Sequence, residues 1–318
     1  MVKNLTYKTG QSSKGISSNK INLGTKIAPY IFISPYFLIW IAFTIFPILF
    51  TFYISLTDWN GFDKKIFVGL QNYVHLIKDE RFYSALGNTL LFMVMIIPVQ
   101  IFLGMVIAAM LSNKNMIGKN TFRLFNFLPY LTTPVALGLI FGILFDYQFG
   151  NINAVLSGLG LIKENINWLG EPWPSRIMIS LITIWRYYGY TSILFLAGIT
   201  NISPELYEAG DIDGANPVQK FFKITVPLLK PVFIFVVLTT MIGCFQIFEE
   251  PFMMFTSQGQ PLVGGPENAS LTGVWLMYDT AFGTVMNFGY GSTIAYGLFV
   301  FIGFLTVIAN HIMKRGED

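Results

Sequence analysis

The sequence predicts an all-α polytopic membrane protein with six transmembrane helices and with N and C termini cytoplasmic. Three observations carry that expectation. The 318 residues are 53% hydrophobic and 12% charged, with 31 Phe, and the mean hydropathy is +0.58; a chain so apolar could not keep its surface off water as a simple soluble domain. A membrane span takes roughly 20 apolar residues, and charge-free runs of that order stand at 31–53, 86–111, 124–145 and 292–308. Lys and Arg gather in alternate connections between the spans.

The first helix is expected over Ile31–Tyr53, after a tail carrying Lys3, Lys8, Lys14, Lys20 and Lys26. A cleaved secretory signal also sets basic residues before an apolar run. This run is longer than a signal core and continues into Ser55-Leu56-Thr57-Asp58 with no small-x-small cleavage site, so the helix is expected to stay. From Asp58 to Ser84, Phe67–Leu76 and Phe82-Tyr83 lie beside mixed charges, as in short interfacial helices. Helices follow at Leu86–Leu111 and Leu124–Phe145, and then Asp146–Ser175, with its Gly, Asn and Pro, reads as an irregular external loop. The fourth span, Ile177–Thr200, is interrupted only by Arg186, and the fifth, Val232 to about Phe252, meets Glu249 and Glu250 at its far end. Cys244, the single cysteine, lies within the fifth and is read as packing. Ser292–Ile308 is the last. With the N-terminus inside, thirteen of the 20 Lys and Arg fall on the cytoplasmic side and six outside, Arg186 being within a span; that excess sets the orientation.

Between spans four and five lies a polar island, Glu208-Ala209-Gly210-Asp211-Ile212-Asp213-Gly214-Ala215, continuing through Phe221, Ile224 and Pro227 to Pro231. Ser203-Pro204 and Asn216-Pro217 each put an N-cap oxygen before a residue already fixed at helical φ. Two short helices are therefore expected, one over about Pro204–Ile212 and one from Pro217. The second would carry Val218, Phe221, Phe222 and Thr225 on one face and Gln219, Lys220 and Lys223 on the other. Gly214 sits at the turn between them, where positive φ is permitted.

From Glu208 to Pro231 the chain resembles the EAA loop of permease subunits in binding-protein-dependent ABC importers: Glu-Ala-Ala, three residues, Gly, then an apolar stretch ending in Leu-Pro. Gly210 departs from it, standing where the family usually has the second Ala. In their order and spacing Pro47, Ser55–Trp59, Phe67–Tyr73, Asn88–Phe92, Leu128-Pro129-Tyr130 and Tyr290-Gly291-Ser292 look like segments of the carbohydrate-uptake branch, of the maltose, lactose and glycerol-3-phosphate type, over nearly the whole chain. The resemblance implies the type I ABC importer permease fold. It divides the chain into a cytoplasmic tail (1–28), a first transmembrane helix with its external loop (29–85), the importer core (86–311) with the cytoplasmic EAA loop at 203–231, and a cytoplasmic C-terminal tail (312–318). It also implies that Glu208, Ala209, Asp213, Gly214, Ala215, Phe221 and Phe222 couple to an ATPase. The partners would be a second homologous permease subunit, two copies of an ABC ATPase, an extracytoplasmic sugar-binding protein and membrane lipid of the bacterial cell membrane, without nucleic acid. ATP and Mg would be used by the ATPase, with no cofactor bound by this chain.

No enzyme site emerges. The chain has no G-x-x-x-x-G-K-[ST] phosphate loop, His75 and His311 lack metal-ligand spacing, and Glu249 and Glu250, adjacent on a helix, are expected to point in different directions. A substrate path is the better use for polar groups in the spans, since an ionisable side chain at a helix centre costs roughly 2.5–3.5 kcal/mol on insertion scales and usually faces a cavity or a partner. Arg186 is followed by Tyr187, Tyr188 and Tyr190, whose rings suit sugar C–H faces. Gln246, Glu249 and Glu250 supply acceptors, with Phe245, Phe248 and Phe252 as apolar walls. The plainer reading is that Arg186 snorkels or pairs with a carboxylate at the outer end of the bundle. A glycerol-3-phosphate or glycerophosphodiester cargo would favour a cationic lining, whereas Arg186 is opposed by two glutamates, so a neutral oligosaccharide fits better. An ion-driven secondary transporter would show an internal repeat of broken helices, and the sequence shows none.

Overall fold

A computed structural model describes residues 23–113, 116–256 and 262–315. Lys3, Lys8, Lys14, Lys20 and Lys114 of the charge count, with parts of both terminal tails, lie outside the described residues. The chain divides into two compact units, 1–51 and 52–318. The described part of the first is apolar and helical: α1 (Leu23–Trp40), a π-helical turn (Ile41–Ile45) and the start of α2 (Phe46–Ser55). Pro47 explains the widened turn. Its ring would clash with the carbonyl of Phe43, four residues back, and the wider turn, in which Phe46 N–H bonds to Ile41 O, relaxes the ladder there.

The second unit begins with a short antiparallel pair, β1 (Thr57–Asp58) and β2 (Ile66–Phe67), followed by α3 (Gln71–Lys78), where short interfacial helices were expected. Next come α4 (Glu80–Ser112), α5 (Lys119–Phe127), α6 (Pro134–Leu144), α7 (Asn151–Gly158) and α8 (Pro172–Thr200). After them stand α9 (Pro204–Ile212), α10 (Pro217–Lys220), a second π-helical turn (Phe221–Thr225), α11 (Val226–Leu228), α12 (Lys230–Phe245), α13 (Glu249–Thr256), α14 (Gly273–Phe282) and α15 (Phe288–Arg315). The core sits where α4, α8, α12, α14 and α15 meet, around Phe92, Ile96, Met178, Ile182, Phe245, Trp275 and Ile294. Cys244 is buried in it, as expected.

Four stretches among the described residues are long and apolar enough to cross a membrane: Ile27–Ser55, Glu80–Ser112, Lys230–Thr256 and Phe288–Lys314. They become five if α5 and α6 form one span. That third segment is not the continuous helix expected over Leu124–Phe145. A 3-10 turn (Leu128–Leu131) ends α5, and α6 leaves at 96°. Pro129 and Pro134 withdraw backbone donors, and the Thr133 hydroxyl caps α6 by accepting from Ala136 N–H at 3.4 Å. The fifth segment is also broken, at Gln246–Phe248. A helix running through would leave the Ile247 carbonyl without its donor, because that donor would be Pro251. Instead the Thr272 hydroxyl donates to it at 2.6 Å.

Two further differences concern the connections. The loop 146–175 is less irregular than expected: it contains α7 and is gathered by Asn153, whose Nδ2 donates to Ile166 O at 3.0 Å and whose Oδ1 accepts from Trp168 Nε1 at 3.0 Å. The connection before the last helix, to which no element was assigned, holds α14. At Gly189 of α8 the backbone of α5 comes so close that a Cβ would collide with the carbonyl oxygen of Asn126. Asn126 Nδ2 donates to Ser192 Oγ at 2.7 Å beside that contact. Further along, α6 lies against α13, with Gly138 next to Met253.

Candidate functional site

Two places in the second unit gather the candidate residues. The first is the hairpin of α9 and α10. Its sequence signals translate into geometry at the turn: Asn216 Oδ1 accepts from Gln219 N–H and Gln219 Oε1 from Asn216 N–H, each at 2.9 Å, a complete capping box. Ahead of it, Ala215 N–H bonds to Gly210 O at 2.8 Å and Gly214 N–H to Asp211 O at 3.1 Å, which closes α9 with Gly214 at φ +71°. Ser203 does not cap as expected. Its hydroxyl makes no cap bond, and its carbonyl accepts from Leu206 N–H at 3.2 Å instead. Tyr207 Oη and Thr225 Oγ1, 2.9 Å apart, and a 2.6 Å ion pair from Lys220 to Asp211 tie the two helices together.

The single apolar face expected on the second helix is split. Thr225 is buried against Tyr207 of α9 and Phe221 is half-buried, while Val218 and Phe222 are 64% and 62% exposed, alongside Ile212 at 87%. Pro227 accounts for the change in winding, because its ring opposes the Lys223 carbonyl and the π-helical turn, closed by Val226 N–H to Phe221 O, spans that residue. Of the other coupling candidates, Glu208, Ala209 and Asp213 are exposed and Ala215 is half-buried. Gly210 is buried, and a Cβ there would lie 3.1 Å from Ile224 Cδ1. An Ala at this position would press on the tip of the Ile224 side chain.

The second place is a cavity of about 560 Å³ between α4, α8, α12 and α13. Tyr187, Tyr190, Gln246, Phe248, Glu249 and Glu250 all line it, as the residues singled out in the sequence would for a path. Arg186 stands behind this wall, 9% exposed, its Nη1 donating to Glu250 Oε1 at 2.7 Å and to Glu249 Oε2 at 3.1 Å and its guanidinium 5.3 Å from the Tyr187 ring centre. The two glutamates therefore converge on one nitrogen, against the expectation that they diverge. The break at Gln246–Phe248 makes them the first two residues of a new helix, and the first turn leaves both side chains free to reach the same partner. Of the expected apolar walls only Phe248 belongs to the lining; Phe245 is buried against Phe301 and Phe252 packs on Trp275 and Tyr278.

Tyr130 enters the sequence pattern only as the end of Leu128-Pro129-Tyr130, yet its ring stacks on Tyr190 at 4.9 Å and meets Tyr187 edge-on at 5.8 Å. Gln100, Thr191, Thr239 and Thr240 add amide and hydroxyl groups to the walls, with Gln100 Nε2 donating to Thr191 Oγ1 at 2.8 Å. No signal local to these residues marked them. They are brought together by the packing of α4, α5, α8 and α12.

Residues 100–315 match the family of binding-protein-dependent transport system inner membrane components. The chain is 34% identical to the probable ABC transporter permease protein YurN of Bacillus subtilis, over 92% of this chain and 98% of that one. It is 33% identical to the lactose transport system permease protein LacF of Rhizobium radiobacter, over 90% and 94% of the two chains. It is also 34% identical to the arabinooligosaccharides transport system permease protein AraP of Halalkalibacterium halodurans, over 92% and 90%. In fold it is similar to a chain from a bacterial ABC transporter that imports the acidic polysaccharide alginate, with a TM-score of 0.76 at 21% identity, covering 92% of this chain and 97% of that one. The hairpin, the broken spans and the aromatic cavity are thus the parts of an inner membrane component of a binding-protein-dependent transport system, the family to which this chain belongs.

Proposed function

We propose that the chain is the transmembrane permease subunit of an ATP-driven importer of sugars, most readily oligosaccharides, and forms half of the translocation path. The observation that carries this reading is the cavity. Three tyrosines set about a space of about 560 Å³, with amide, hydroxyl and carboxylate groups around them, form a surface suited to polyhydroxylated rings. Relatives named for lactose and arabinooligosaccharide transport, matched over most of their length, support the same class of cargo.

In this reading α8, 29 residues long and able to reach across a bilayer, joins the other five as a sixth span despite Arg186, and both termini and the α9–α10 hairpin lie in the cytoplasm. The hairpin is the coupling element. Ile212, Val218 and Phe222 are apolar and exposed on a unit held together by its own hydrogen bonds, as a docking surface for an ATPase would be. Two such ATPases, using ATP and Mg, would draw the hairpin with them as they close. A second, related permease subunit and an external sugar-binding protein complete the assembly. The loaded binding protein favours one access state by binding it more tightly, the one way a ligand shifts such an equilibrium.

Uptake of labelled gluco- and galacto-oligosaccharides, with glycerol-3-phosphate alongside, in cells with and without the gene tests this directly. Loss of uptake of one sugar is the expected result. Loss of glycerol-3-phosphate uptake alone would keep the importer and replace its cargo.

A further inference from the structure

The cavity walls hold two carboxylates, Glu249 and Glu250, and no Lys, Arg or His among the described lining residues. Behind them Arg186 bridges both, so that one guanidinium faces two carboxylates and the group carries a net charge of minus one. The surplus is not evenly placed. Glu250 is 4% exposed and takes the shorter contact, 2.7 Å, whereas the Glu249 side chain is 51% exposed and is held at 3.1 Å. The uncompensated charge is therefore at the cavity surface, on Glu249. The neighbouring groups, Gln246, Tyr187, Tyr190, Thr239 and Thr240, are polar and uncharged and can hydrogen-bond hydroxyls without neutralising it.

We infer that Glu249 is a charge filter for the cargo: the cavity accepts uncharged oligosaccharides and turns away sugars that bear carboxylates or phosphates. This rests on the sugar-permease reading and names its substrate class. An anionic group brought within about 8 Å of Glu249, at an effective dielectric of about 20 and with partial screening by salt, loses roughly tenfold in affinity. The single positive charge of Arg186 is already counted in the net charge of the group: its Nη1 donates to both glutamates, and its Nε is buried and makes no hydrogen bond.

The test is equilibrium dialysis on the assembled importer in lipid nanodiscs, with the external binding protein left out so that its own selectivity does not enter. The probes are labelled maltopentaose and a galacturonic acid pentamer. The expected result is that the wild type binds maltopentaose roughly tenfold more tightly, that Glu249→Gln narrows the ratio to about twofold, and that Gln246→Glu, at an exposed neighbouring position, widens it. Raising the salt should narrow the wild-type ratio and leave that of Glu249→Gln unmoved. Equal binding of both pentamers by the wild type, or a ratio unchanged by Glu249→Gln, overturns the filter and leaves the sugar reading standing. Binding of neither by an assembly that still hydrolyses ATP overturns the sugar reading and the filter with it.

Discussion

The α9–α10 hairpin and the Arg186 cluster are built inside out relative to one another. In the hairpin, polar groups do the internal work and apolar Ile212, Val218 and Phe222 face outward. In the bundle, the ions Arg186 and Glu250 are internal, and apolar side chains such as Phe102, Leu139 and Val300 are exposed. Exposed apolar surface means different things in the two settings: on the bundle it is what lipid covers, and on a hairpin carrying Glu208, Asp211 and Lys220 it is the face proposed above for the ATPase. A buried ion, by contrast, is tolerable only with its partner in place.

That difference orders the expected effects of substitution. Arg186→Ala should be the most damaging, leaving Glu250 buried and unpaired at a cost of about 3–5 kcal/mol, read as loss of the assembled protein from the membrane; Arg186→Ala combined with Glu250→Ala should recover much of it in a double-mutant cycle. Full tolerance of the single change would mean that the cluster is not a buried ion pair in the working protein. Gly214→Asp should abolish uptake while the subunit remains inserted. No atom lies within 4 Å of the added Cβ, so the change costs about 1–2 kcal/mol of left-handed backbone strain and places a charge on the surface proposed for the ATPase. Phe222→Ala should leave the subunit as stable as before, since its ring is 62% exposed, but weaken co-purification of the ATPase roughly tenfold, about 1.4 kcal/mol; unaltered co-purification would remove this face from the coupling surface. The smallest effect is expected of Gly210→Ala, under about 1 kcal/mol, from contact with Ile224 Cδ1. In an Ile224→Val background, which lacks that methyl, adding Gly210→Ala should leave thermal stability unchanged.

Legibility followed range. The caps and turn of the hairpin are governed by bonds spanning three to five residues, so Asn216-Pro217, Gln219 and Gly214 reveal its helices and turn, and Pro204–Ile212 stands at its expected limits, whereas the Tyr207–Thr225 and Lys220–Asp211 ties carry no local signal. The exception, Ser203, failed because a backbone carbonyl took the donor first. Arg186, Tyr187 and Glu249 were recognisable as charged or polar groups inside spans, but their mutual geometry was not. Convergence of the glutamates depends on a helix break set by Pro251 and stabilised by Thr272, more than twenty residues away. Tyr130 reaches Tyr190 because α5, just before it, is seated on α8 at Asn126 and Gly189, a contact with no local signal; the bend that follows is signalled by Thr133-Pro134, but within a continuous apolar run hydrophobicity masks it.

The bend between α5 and α6 has a mechanical consequence. Near its corner, α5 rests backbone to backbone on α8 at Asn126 and Gly189, with no side chain between them to roll or yield, and Asn126 is pinned to Ser192 beside the contact. With α5 seated on that point and α6 leaving at 96°, the pair has the geometry of a bell-crank. A push along α5 would act across α6 and not along it, and α6 lies against α13, the helix that begins with the two glutamates.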